Sequence, residues 1–468
     1  MNVLVCVKQV KGELNPFDAS ALECALRIPK AEVTIISMGR PDVSDMLKGL
    51  TRLGASRAIL LTDNAFAGSD TLATSYVLSL AIKRIMPDLI ICGRQSVDGD
   101  TGQVGPCLSA MLGIPVITNV MELLRADDNV ECITRFGNET AATPALLTVE
   151  KGYTLRFPGL RSKPREVEVW GAKDIDADIK RCGLKGSPTK VLKTYESTVG
   201  RRKCEFIKPE QLYKIIEKSK NTPRHHVERS SSSMKIPEVW AVGYETAAVA
   251  ETIAKKVRII ERQSPNKIAE LASKEKPQVI LWDSGLWGRK NAPQVAAFLQ
   301  TGLCADCTML ETDGEQLFMY RPAYGGSIMA KIACSTRPQM ATVRTVDNKS
   351  EQVIISVGSG AAKALPKLEQ FAKSNGYAIG ASRTVVDKGT LPYECQIGLT
   401  GRSVSPAVYI ACGISGAVQH TCAIEQAGTV IAINTDKDAR IFDYADYGVI
   451  GECGELLRKC DKFNQSQI

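Results

Sequence analysis

Glycines, hydroxyls and one histidine are concentrated between residues 396 and 420, which read QIGLTGRSVSPAVYIACGISGAVQH. Thr400 and Ser415 each stand directly before a glycine, and His420 ends the segment. Glycine lets a ligand approach the backbone closely, and hydroxyls donate hydrogen bonds to anionic oxygens. The segment could therefore hold a phosphate, a flavin or a substrate, or it could form only its own tight turns.

A second glycine-rich loop, GRQSVDGDTGQ at residues 93–103, follows a strand-like run and precedes a helical pattern. Ligands of open α/β sheets bind at the carboxyl ends of strands, where helix N-termini receive phosphates. Asp98 and Asp100 could take ribose hydroxyls or cap the helix, and Thr101 could donate to a phosphate. A turn with an N-cap is the alternative, and the spacing alone leaves both interpretations open.

Strands must position these loops. Short β-rich apolar runs alternate with helical periodicity along the chain, as at residues 3–7, 34–37 and 239–242. That alternation predicts parallel sheets covered by helices. Towards the C-terminus the runs 353–357 and 430–434 precede or end in small and polar residues. Stacked endings of this kind form a floor for an extended dinucleotide, and the pattern does not choose between FAD and NAD. A partial dinucleotide fingerprint, GSGAAK, follows the first of these runs and is a weak signal.

Two parts of the chain match each other. Pro87 and Pro277 stand before similar strands, 190 positions apart, and Pro106 and Pro293 stand in similar helix starts, 187 positions apart. We predict two related α/β domains, each with a helix that begins at its proline and with a first loop three residues longer than the second. The second loop carries the bulky Trp287 and lacks the glycines and hydroxyls of the first.

The polar, serine-rich stretch 220–237 is bracketed by prolines and predicts a linker. A length of 468 residues is typical of about three domains. We therefore expect an α/β domain with a C-terminal arm at 1–219, the linker at 220–237, a second α/β domain at 238–346 and a third domain at 347–468.

Composition excludes several classes of function. Apolar residues make up 44% and charged residues 24% of the chain, which is typical of a globular protein. The net charge of +8 arises without a continuous basic stripe, so we expect no nucleic-acid partner. We also expect no membrane insertion, because no apolar run approaches about 18 residues.

Fifteen cysteines and no signal-peptide pattern predict a cytoplasmic protein with reduced thiols. The pair Cys304 and Cys307 has CxxC spacing, which could be a redox pair or half of a zinc site. Zinc would need a second pair of ligands, and the chain has only three histidines. We expect ordinary buried cysteines and no metal site.

At this point the chain resembles the electron-transfer flavoproteins, which are normally heterodimers of alpha and beta subunits. The resemblance to the alpha subunit's FAD domain rests on GASR at 380–383, QIGLTGR at 396–402, GISGAVQH at 413–420, AIN at 432–434 and ADYG at 445–448. The segments RPAYGG at 321–326 and RPQMATVR at 337–344 look like the alpha subunit's first domain, and the first 150 or so residues look like the beta subunit. The resemblance implies a beta–alpha fusion. Its fold would be α/β, with two related nucleotide-binding-type parallel-sheet domains and a C-terminal doubly wound FAD-binding domain.

The resemblance also implies a cofactor site. A hydroxyl donor at Thr400 would lie near the flavin N5, His420 near the N1–C2 edge and Arg383 over the ring, where donors or positive charge stabilise a reduced flavin. Asn434 and Asp446 would hold the adenosine end. The residues expected to bind this FAD are Ser382, Arg383, Ile397, Gly398, Leu399, Thr400, Ser415, Gly416, Ala417, Val418, Gln419, His420, Asn434 and Asp446.

A second nucleotide is implied in the N-terminal domain. Its loop at 98–101 resembles relatives that hold a second FAD there and split electrons from NADH, whereas simple carriers of the family hold AMP. The residues expected to bind FAD or AMP are Cys6, Asn15, Phe17, Asp98, Gly99, Asp100, Thr101, Gly102, Gln103 and Val104.

Some residues depart from the family pattern. Ser359 stands where an arginine is usual, Leu399 replaces a glutamine, and only residues 11–14 remain of a longer hairpin. In the turn after Asn434, Thr435, Lys437 and Arg440 replace a lysine and two prolines. These changes bear on the flavin potential and on FAD retention.

We therefore expect an electron carrier without catalytic residues of its own. It would pass electrons through FAD between a flavoenzyme such as an acyl-CoA dehydrogenase of fatty acid β-oxidation and another redox partner. An NADH-dependent, electron-bifurcating flavoprotein with two FAD is one alternative. The other is a degenerate nucleotide-binding scaffold without redox activity, which the changes at Ser359 and Leu399 would permit.

Overall fold

The computed structural model describes residues 1–196, 201–221, 234–324, 328–345, 351–399 and 401–458. The described residues form two compact units, both of α/β architecture. Unit 1 draws on Met1–Thr194, Ser230–Tyr324 and Met329–Val343, and unit 2 draws on Tyr195–Arg229, Gly325–Ile328 and Arg344–Ile468. The fold class predicted from the sequence is confirmed.

Unit 1 begins with a module built on a nine-stranded sheet. The strands of this module are β1 (Asn2–Cys6), β2 (Gln9–Val10), β3 (Glu13–Leu14), β4 (Glu32–Met38), β5 (Arg57–Leu61), β6 (Leu89–Gly93), β7 (Val116–Ala126), β8 (Asn129–Thr134), β9 (Gly137–Ala142), β10 (Ala145–Val149), β11 (Val167–Trp170) and β12 (Thr189–Glu196). Of these, β2 and β3 form a separate pair, and β12 belongs to a four-stranded sheet. Its helices are α1 (Pro16–Leu26), α2 (Val43–Thr51), α3 (Thr71–Ile85), α4 (Val104–Leu112) and α5 (Gly183–Gly186). The order in the sheet is β11-β5-β4-β1-β6-β10-β7-β8-β9, parallel as far as β7 and antiparallel beyond it.

Strand β1 lies at the centre of this sheet because its residues are apolar on both faces. It pairs in parallel with β4 on one side and β6 on the other, and Val3, Leu4 and Val5 are buried. Where the family's longer hairpin is shortened, β2 and β3 form a short antiparallel hairpin. Its turn residues Lys11 and Gly12 have φ of 53° and 86°, the left-handed pair that a two-residue hairpin turn requires.

The chain then contributes β13 (Glu205–Phe206) and α6 (Leu212–Ser219) before it returns to unit 1. The second module of unit 1 contains β14 (Ile236–Val242), β15 (Ala254–Ile260), β16 (Val279–Asp283), β17 (Leu303–Cys307), β18 (Met309–Thr312), β19 (Leu317–Ala323), β20 (Ile328–Cys334) and β21 (Gln339–Val343). Its helices are α7 (Ala247–Ile253), α8 (Pro265–Glu275) and α9 (Leu286–Leu299). A five-stranded sheet has the order β15-β14-β16-β21-β17, and a four-stranded sheet has the order β12-β20-β19-β18.

The two modules share one topology. When the strands of the five-stranded sheet are counted along the chain, their order across the sheet is second, first, third, fifth, fourth. The central strands of the first module, β4-β1-β6-β10-β7, lie in the same sequence. The internal repeat inferred from the paired prolines is therefore present in the strand order.

The predicted start of the second helix is wrong. Helix α9 begins at Leu286, and Pro293 lies inside it rather than at its first turn. The shorter loop has coiled into the first two turns of the helix. An interior proline removes one backbone hydrogen bond and crowds the preceding turn, and the helix continues across that defect. In the first module Pro106 does lie in the first turn of α4.

Unit 2 is built on a six-stranded parallel sheet in the order β13-β26-β25-β24-β22-β23. The strands not yet named are β22 (Val353–Val357), β23 (Ala378–Ala381), β24 (Val408–Cys412), β25 (Thr429–Asn434) and β26 (Tyr447–Ile450). The helices are α10 (Leu365–Asn375), α11 (Arg383–Asp387) and α12 (Val418–Thr421). After β22 the chain continues to β23 on one side and later to β24 on the other, so β22 and β24 flank a topological switch point.

The segment expected to be the arm of the first domain lies in unit 2. Strand β13 pairs with β26, and Leu212 and Ile216 of α6 are fully buried among core residues such as Val353. Most of the expected linker, residues 222–233, lies outside the described residues, and β14 begins at Ile236, within the predicted linker. Among the described residues, no helix combines the length and apolarity needed to cross a bilayer.

Candidate functional site

The carboxyl edge of the six-stranded sheet brings together most of the residues expected to hold FAD. Ser382 and Arg383 follow β23, the segment 415–420 follows β24, and Asn434 is the last residue of β25. Because all six strands are parallel, these positions share one edge of the sheet. Ser359 follows β22 at the same edge and is exposed.

Glycines at this edge allow backbones to meet where side chains could not. A Cβ added to Gly358 would lie 2.1 Å from the carbonyl oxygen of Gly413, and one added to Gly416 would lie 2.1 Å from the amide nitrogen of Ile441. Gly413 and Gly416 also have φ of 60° and 85°. Neither Gly358 nor Gly416 can be replaced by a larger residue without displacing backbone. The turn after β24 is therefore fixed by packing as well as by conformation.

The two halves of the glycine-rich segment meet at Gln419. Its carbonyl oxygen accepts the Leu399 N–H at 2.6 Å, and a Cβ on Gly398 would lie 2.9 Å from the same oxygen. Ile397 is buried, and its N–H donates to the Ala381 carbonyl at 2.9 Å. Residues 397–399 therefore lie against the start of α12. Thr400, the expected donor near the flavin N5, lies outside the described residues.

The exposed groups on this surface suit an anionic, polar ligand. Ser415, Ala417 and Gln419 are exposed, and Gly416 and Val418 between them are buried and half-buried. Arg383 is half-buried and donates through Nε to Asp387 at 3.1 Å. Hydroxyls, an amide and a guanidinium along glycine-rich turns form a donor set that matches phosphate and ring oxygens, so the residues present fit FAD.

His420 lies in the core of unit 2. It is 7% exposed, and its Nε2 is 2.7 Å from the hydroxyl of Tyr409 in β24. Burial lowers the pKa of the imidazole to about 4, although a hydrogen bond with the backbone of Ile397 acts in the opposite direction. At neutral pH the side chain is therefore uncharged and fixes Tyr409 and residue 397 relative to α12.

The two residues expected at the adenosine end lie apart from each other. Asn434 is at the carboxyl edge, where its Nδ2 donates to the Ile414 carbonyl at 3.0 Å and holds the turn after β24. Asp446 precedes β26 at the opposite edge of the sheet. Its Oδ2 accepts Nη1 of Arg202 at 2.5 Å and the Val430 N–H at 2.8 Å. The structure therefore does not bring Asp446 together with the other expected residues.

Unit 1 contains a cavity of about 1400 Å³ at the carboxyl edge of the nine-stranded sheet. Its walls come from the ends of β1, β4, β5 and β6 and from the starts of α3 and α4. Of the residues expected to hold the second nucleotide, six line it: Cys6, Gly99, Thr101, Gly102, Gln103 and Val104. The N-terminus of α4 opens onto the cavity, which is where a helix receives a phosphate.

The other expected residues shape the loop rather than the wall. Asn15 is buried, and its side chain donates to the Gln95 carbonyl at 2.9 Å and accepts the Val97 N–H at 3.2 Å. Asp100 has φ of 51° and accepts the Gln95 side chain at 2.8 Å. Asp98 accepts Nζ of Lys8 at 2.8 Å. Burial opposes ionisation of Asp98, but hydrogen bonds from Lys8 and Ser96 hold its pKa below the usual value.

Phe17 and Gln103 face away from the loop. Phe17 is buried, with the cations of Arg94 and Lys151 5.2 and 4.7 Å from its ring centroid. The side chain of Gln103 donates to the Leu303 carbonyl in the second module at 3.1 Å. Phe17 does not line the cavity, whereas Gln103 lines it while its side-chain amide is engaged with the second module.

Several lining residues were not among the expected ones. They come from the loop after β4 (residues 39–42), from residues 62–71 after β5, and from Asp18 in α1. The sequence marks residues 65–71 as the start of a helix, because an aspartate before a helical run is a typical N-cap. In the structure Asp70 does cap α3, and it accepts the Ala73 N–H at 3.0 Å. No comparable signal marks Asp18, which an amphipathic helix pattern assigns only to the first turn of α1.

The equivalent edge of the second module carries bulky and charged side chains that contact one another. Trp282 and Trp287 stack with ring centroids 5.7 Å apart, and the guanidinium of Arg262 lies 5.2 Å from the Trp287 ring centroid. Arg262 also pairs with Glu245 and, at 3.1 Å, with Asp283 at the end of β16. Cys304 and Cys307 are buried in β17.

The comparisons with known proteins agree with this arrangement. The family model described as Electron transfer flavoprotein domain matches residues 3–175 and 242–370, and the one described as Electron transfer flavoprotein FAD-binding domain matches residues 348–425. Electron transfer flavoprotein subunit beta of Clostridium acetobutylicum is 38% identical over 262 residues, which are 48% of this chain and 100% of the relative.

Two further relatives are informative. Electron transfer flavoprotein subunit alpha of Thermoanaerobacterium thermosaccharolyticum is 37% identical over 236 residues, or 41% of this chain and 72% of the relative. Protein FixA of Azorhizobium caulinodans is 36% identical over 248 residues, or 44% of this chain and 88% of the relative. Relatives named as beta and alpha subunits match different parts of the chain, as a beta–alpha fusion requires.

The environment of His420 predicts a pH dependence of stability. The folded pKa lies below the unfolded value of 6.5, so the unfolded chain binds the extra proton and stability falls as pH drops from about 6.5 towards 4. The full effect is about 3 kcal/mol. In urea unfolding between pH 4.5 and 7.5, His420→Gln should show a shallower loss of stability on acidification than wild type. Parallel curves for the two proteins would contradict the assignment, because all other titrating groups are common to both.

Proposed function

We propose that this chain, which belongs to the electron transfer flavoprotein family, passes electrons between a flavoenzyme such as an acyl-CoA dehydrogenase and another redox partner, through FAD in unit 2. The observation that carries the proposal is the coincidence of the family's FAD-binding domain, residues 348–425, with the glycine-rich carboxyl edge of the six-stranded sheet. FAD supplies the redox chemistry when bound. The chain's own residues bind it, orient it and set its surroundings.

Each part of the edge has a distinct task. The turn 413–416 and the exposed Ser415 and Gln419 offer donors to the phosphates and the polar parts of the ligand. Arg383, which is paired with Asp387, contributes a guanidinium to this surface, while neutral His420 holds Ile397 in place from the core. Leu399 adds an apolar, half-buried side chain where the family has a glutamine, so one donor near the ring is missing.

The N-terminal cavity supports a second nucleotide of dinucleotide size. Pockets for small ligands typically measure about 300–1,000 Å³. At about 1400 Å³ the half-open cavity exceeds that range, so it has room for a dinucleotide. This observation favours FAD over AMP there, and with it the second candidate function, an NADH-dependent flavoprotein that divides electrons between two flavins.

An exposed segment of unit 1 has the character of a partner-docking surface. Residues 151–166 contain Phe157 and Leu160, both almost fully exposed, and several arginines and lysines. The segment is anchored at its base, because Arg156 pairs with the buried Glu23 at 2.9 Å. Exposed apolar side chains on an anchored segment, rimmed by charge, mark a protein interaction site.

Nucleotide content tests the cofactors. We expect the purified chain to release two FAD per polypeptide on acid treatment, measured by chromatography and absorbance against protein concentration, because the cavity of unit 1 is large enough for a dinucleotide. One FAD with one AMP would retain the carrier function but contradict the second FAD. A chain with no flavin would contradict both redox functions and favour the nucleotide-binding scaffold.

A negative charge introduced at the edge of unit 2 tests the FAD surface. Gln419→Glu places a carboxylate beside the expected pyrophosphate, and repulsion should weaken FAD binding about tenfold, or about 1.4 kcal/mol. Gln370→Glu, on the exposed face of α10, makes the same chemical change away from the edge and should leave affinity unchanged. Flavin fluorescence titration of the flavin-free proteins measures both, and equal losses in the two variants would contradict the site.

Truncation of the exposed pair tests docking. Phe157→Ala with Leu160→Ala should raise the KM for the chain about tenfold when a substrate-reduced bacterial acyl-CoA dehydrogenase is the donor, because buried aromatic and aliphatic anchors dominate interface energies. Flavin content and kcat should not change. The control truncates two exposed apolar residues elsewhere on unit 1, Leu124→Ala with Val169→Ala. A docking role is excluded if the KM stays at the wild-type value.

A further inference from the structure

Asp18 is a buried carboxyl group at the floor of the N-terminal cavity. It lies in the first turn of α1, is 6% exposed and still lines the cavity. Its Oδ2 accepts the backbone N–H of Lys8 at 2.8 Å. Its Oδ1 lies so close to Gly93 that a Cβ there would be 2.2 Å away. The carboxyl group is therefore held between the ends of β1 and β6, the two central strands of the sheet.

No cation neutralises this carboxyl group directly. Lys8 contributes its backbone to Asp18, but its Nζ is turned to Asp98 at 2.8 Å. Arg94, which follows Gly93, pairs with Glu150 at 3.2 Å. Among the described residues Asp18 takes part in no ion pair within 4 Å. A buried charge without a counter-ion is costly, so the neutral form of the carboxyl group is favoured.

The side chains that face Asp18 from β1, β6 and the residue before α1 are two cysteines and an asparagine. From β1 and β6 the thiols of Cys6 and Cys92, which are partners in the strand register, face the same floor. The side chain of Asn15 and the backbone of Gly93 donate hydrogen bonds from α1 and β6. Beyond β10, Glu150 is already shared between Arg94 and Arg135. Among the described residues, Lys8 is the cation whose charge favours ionisation of Asp18.

These opposing influences place the titration of Asp18 near neutrality. Burial raises its pKa to about 7, while hydrogen bonds from Asn15, Lys8 and Gly93 and the charge of Lys8 act against that rise. Near pH 7 about half of the molecules carry the proton. A negative ligand that enters the cavity adds a like charge and favours the protonated form further.

We propose that Asp18 is the proton-exchanging group of the N-terminal cavity and takes up a proton when an anionic nucleotide binds there. The proposal rests on the proposed function, because it assumes that the cavity receives a nucleotide. By linkage, a ligand that binds with proton uptake loses affinity as pH rises. For a pKa increase of one unit on binding, the dissociation constant should rise about sixfold between pH 6.5 and 8.5, with tenfold as the limit.

The test is calorimetric titration of the full chain, freed of nucleotide in unit 1, with AMP as the probe. Titrations at pH 7.5 in buffers of different ionisation enthalpy give the number of protons taken up, and titrations from pH 6.5 to 8.5 give the affinity profile. The phosphate of AMP itself titrates near pH 6, but its contribution is identical in every protein variant.

Asp18→Asn has the shape of the protonated carboxyl group and cannot titrate. We expect it to bind AMP without the wild-type proton uptake and with a flatter pH profile. Asp42→Asn is the matched control. Its carboxylate lines the same cavity, and a hydrogen bond from Arg40 holds its pKa below the usual value, so proton uptake should persist.

A second variant guards against a structural effect of Asp18→Asn. Lys8→Met keeps the backbone N–H that Asp18 accepts but removes the one nearby positive charge, so the midpoint of the affinity profile should move to higher pH. Wild-type binding without proton uptake, or equal uptake in Asp18→Asn, would overturn the proposal. Absence of binding with AMP and also with FAD as the probe would instead contradict the second-nucleotide function, so the two failures are distinguishable.

Discussion

Both proposed ligand-binding surfaces depend on one constraint, the divergence of neighbouring parallel strands at the carboxyl edge of a sheet. Where the segments after two adjacent strands leave in opposite directions, a crevice opens that the sheet itself cannot fill. In unit 2 this point lies between β22 and β24, and in the first module of unit 1 it lies between β1 and β6. Glycines line both crevices because the returning loops come within van der Waals contact of the backbone.

The repeated topology shows how such a crevice is lost. Both modules of unit 1 share one strand order, but in the second module the end of β16 carries Trp282 and Asp283. Trp287 stacks on the first tryptophan, and Arg262 joins the carboxylates of Glu245 and Asp283. These bulky and charged side chains lie at the edge of the second module that corresponds to the cavity edge of the first. The shorter loop contributes too, since its residues coil into the start of α9 rather than bridge a gap.

The strands and the crevices could be predicted from the sequence, because fully buried parallel strands read as short apolar runs that end in glycine or polar residues. Long-range packing could not. Nothing local in β13 or α6 indicates that they complete the core of unit 2, since their short apolar patterns fit any partner. Pro293 lies inside α9 because the residues before it, including Trp287, also form helix. A rule that starts the helix at its proline misses this. Asp18 reads as a helix N-terminal acid, and only the burial of α1 against β1 and β6 makes its charge unfavourable.

Burial shifts the pKa of a different kind of group at the proposed ligand edge of each unit. It raises the pKa of a carboxyl group in unit 1 and lowers the pKa of an imidazole in unit 2. In unit 1 a carboxyl group without a counter-ion titrates near neutrality, so the cavity can change its charge. In unit 2 the buried imidazole of His420 loses its charge, and both of its polar contacts are with the protein, Tyr409 and the backbone of Ile397. A neutral His420 cannot supply positive charge to the ligand edge, and its effect there passes through the position of residues 397–399. Ser359 stands where the family usually has an arginine, and the guanidinium of Arg383 at this edge is paired with Asp387. A ligand that gains negative charge in unit 2 would therefore depend on groups other than the neutral imidazole.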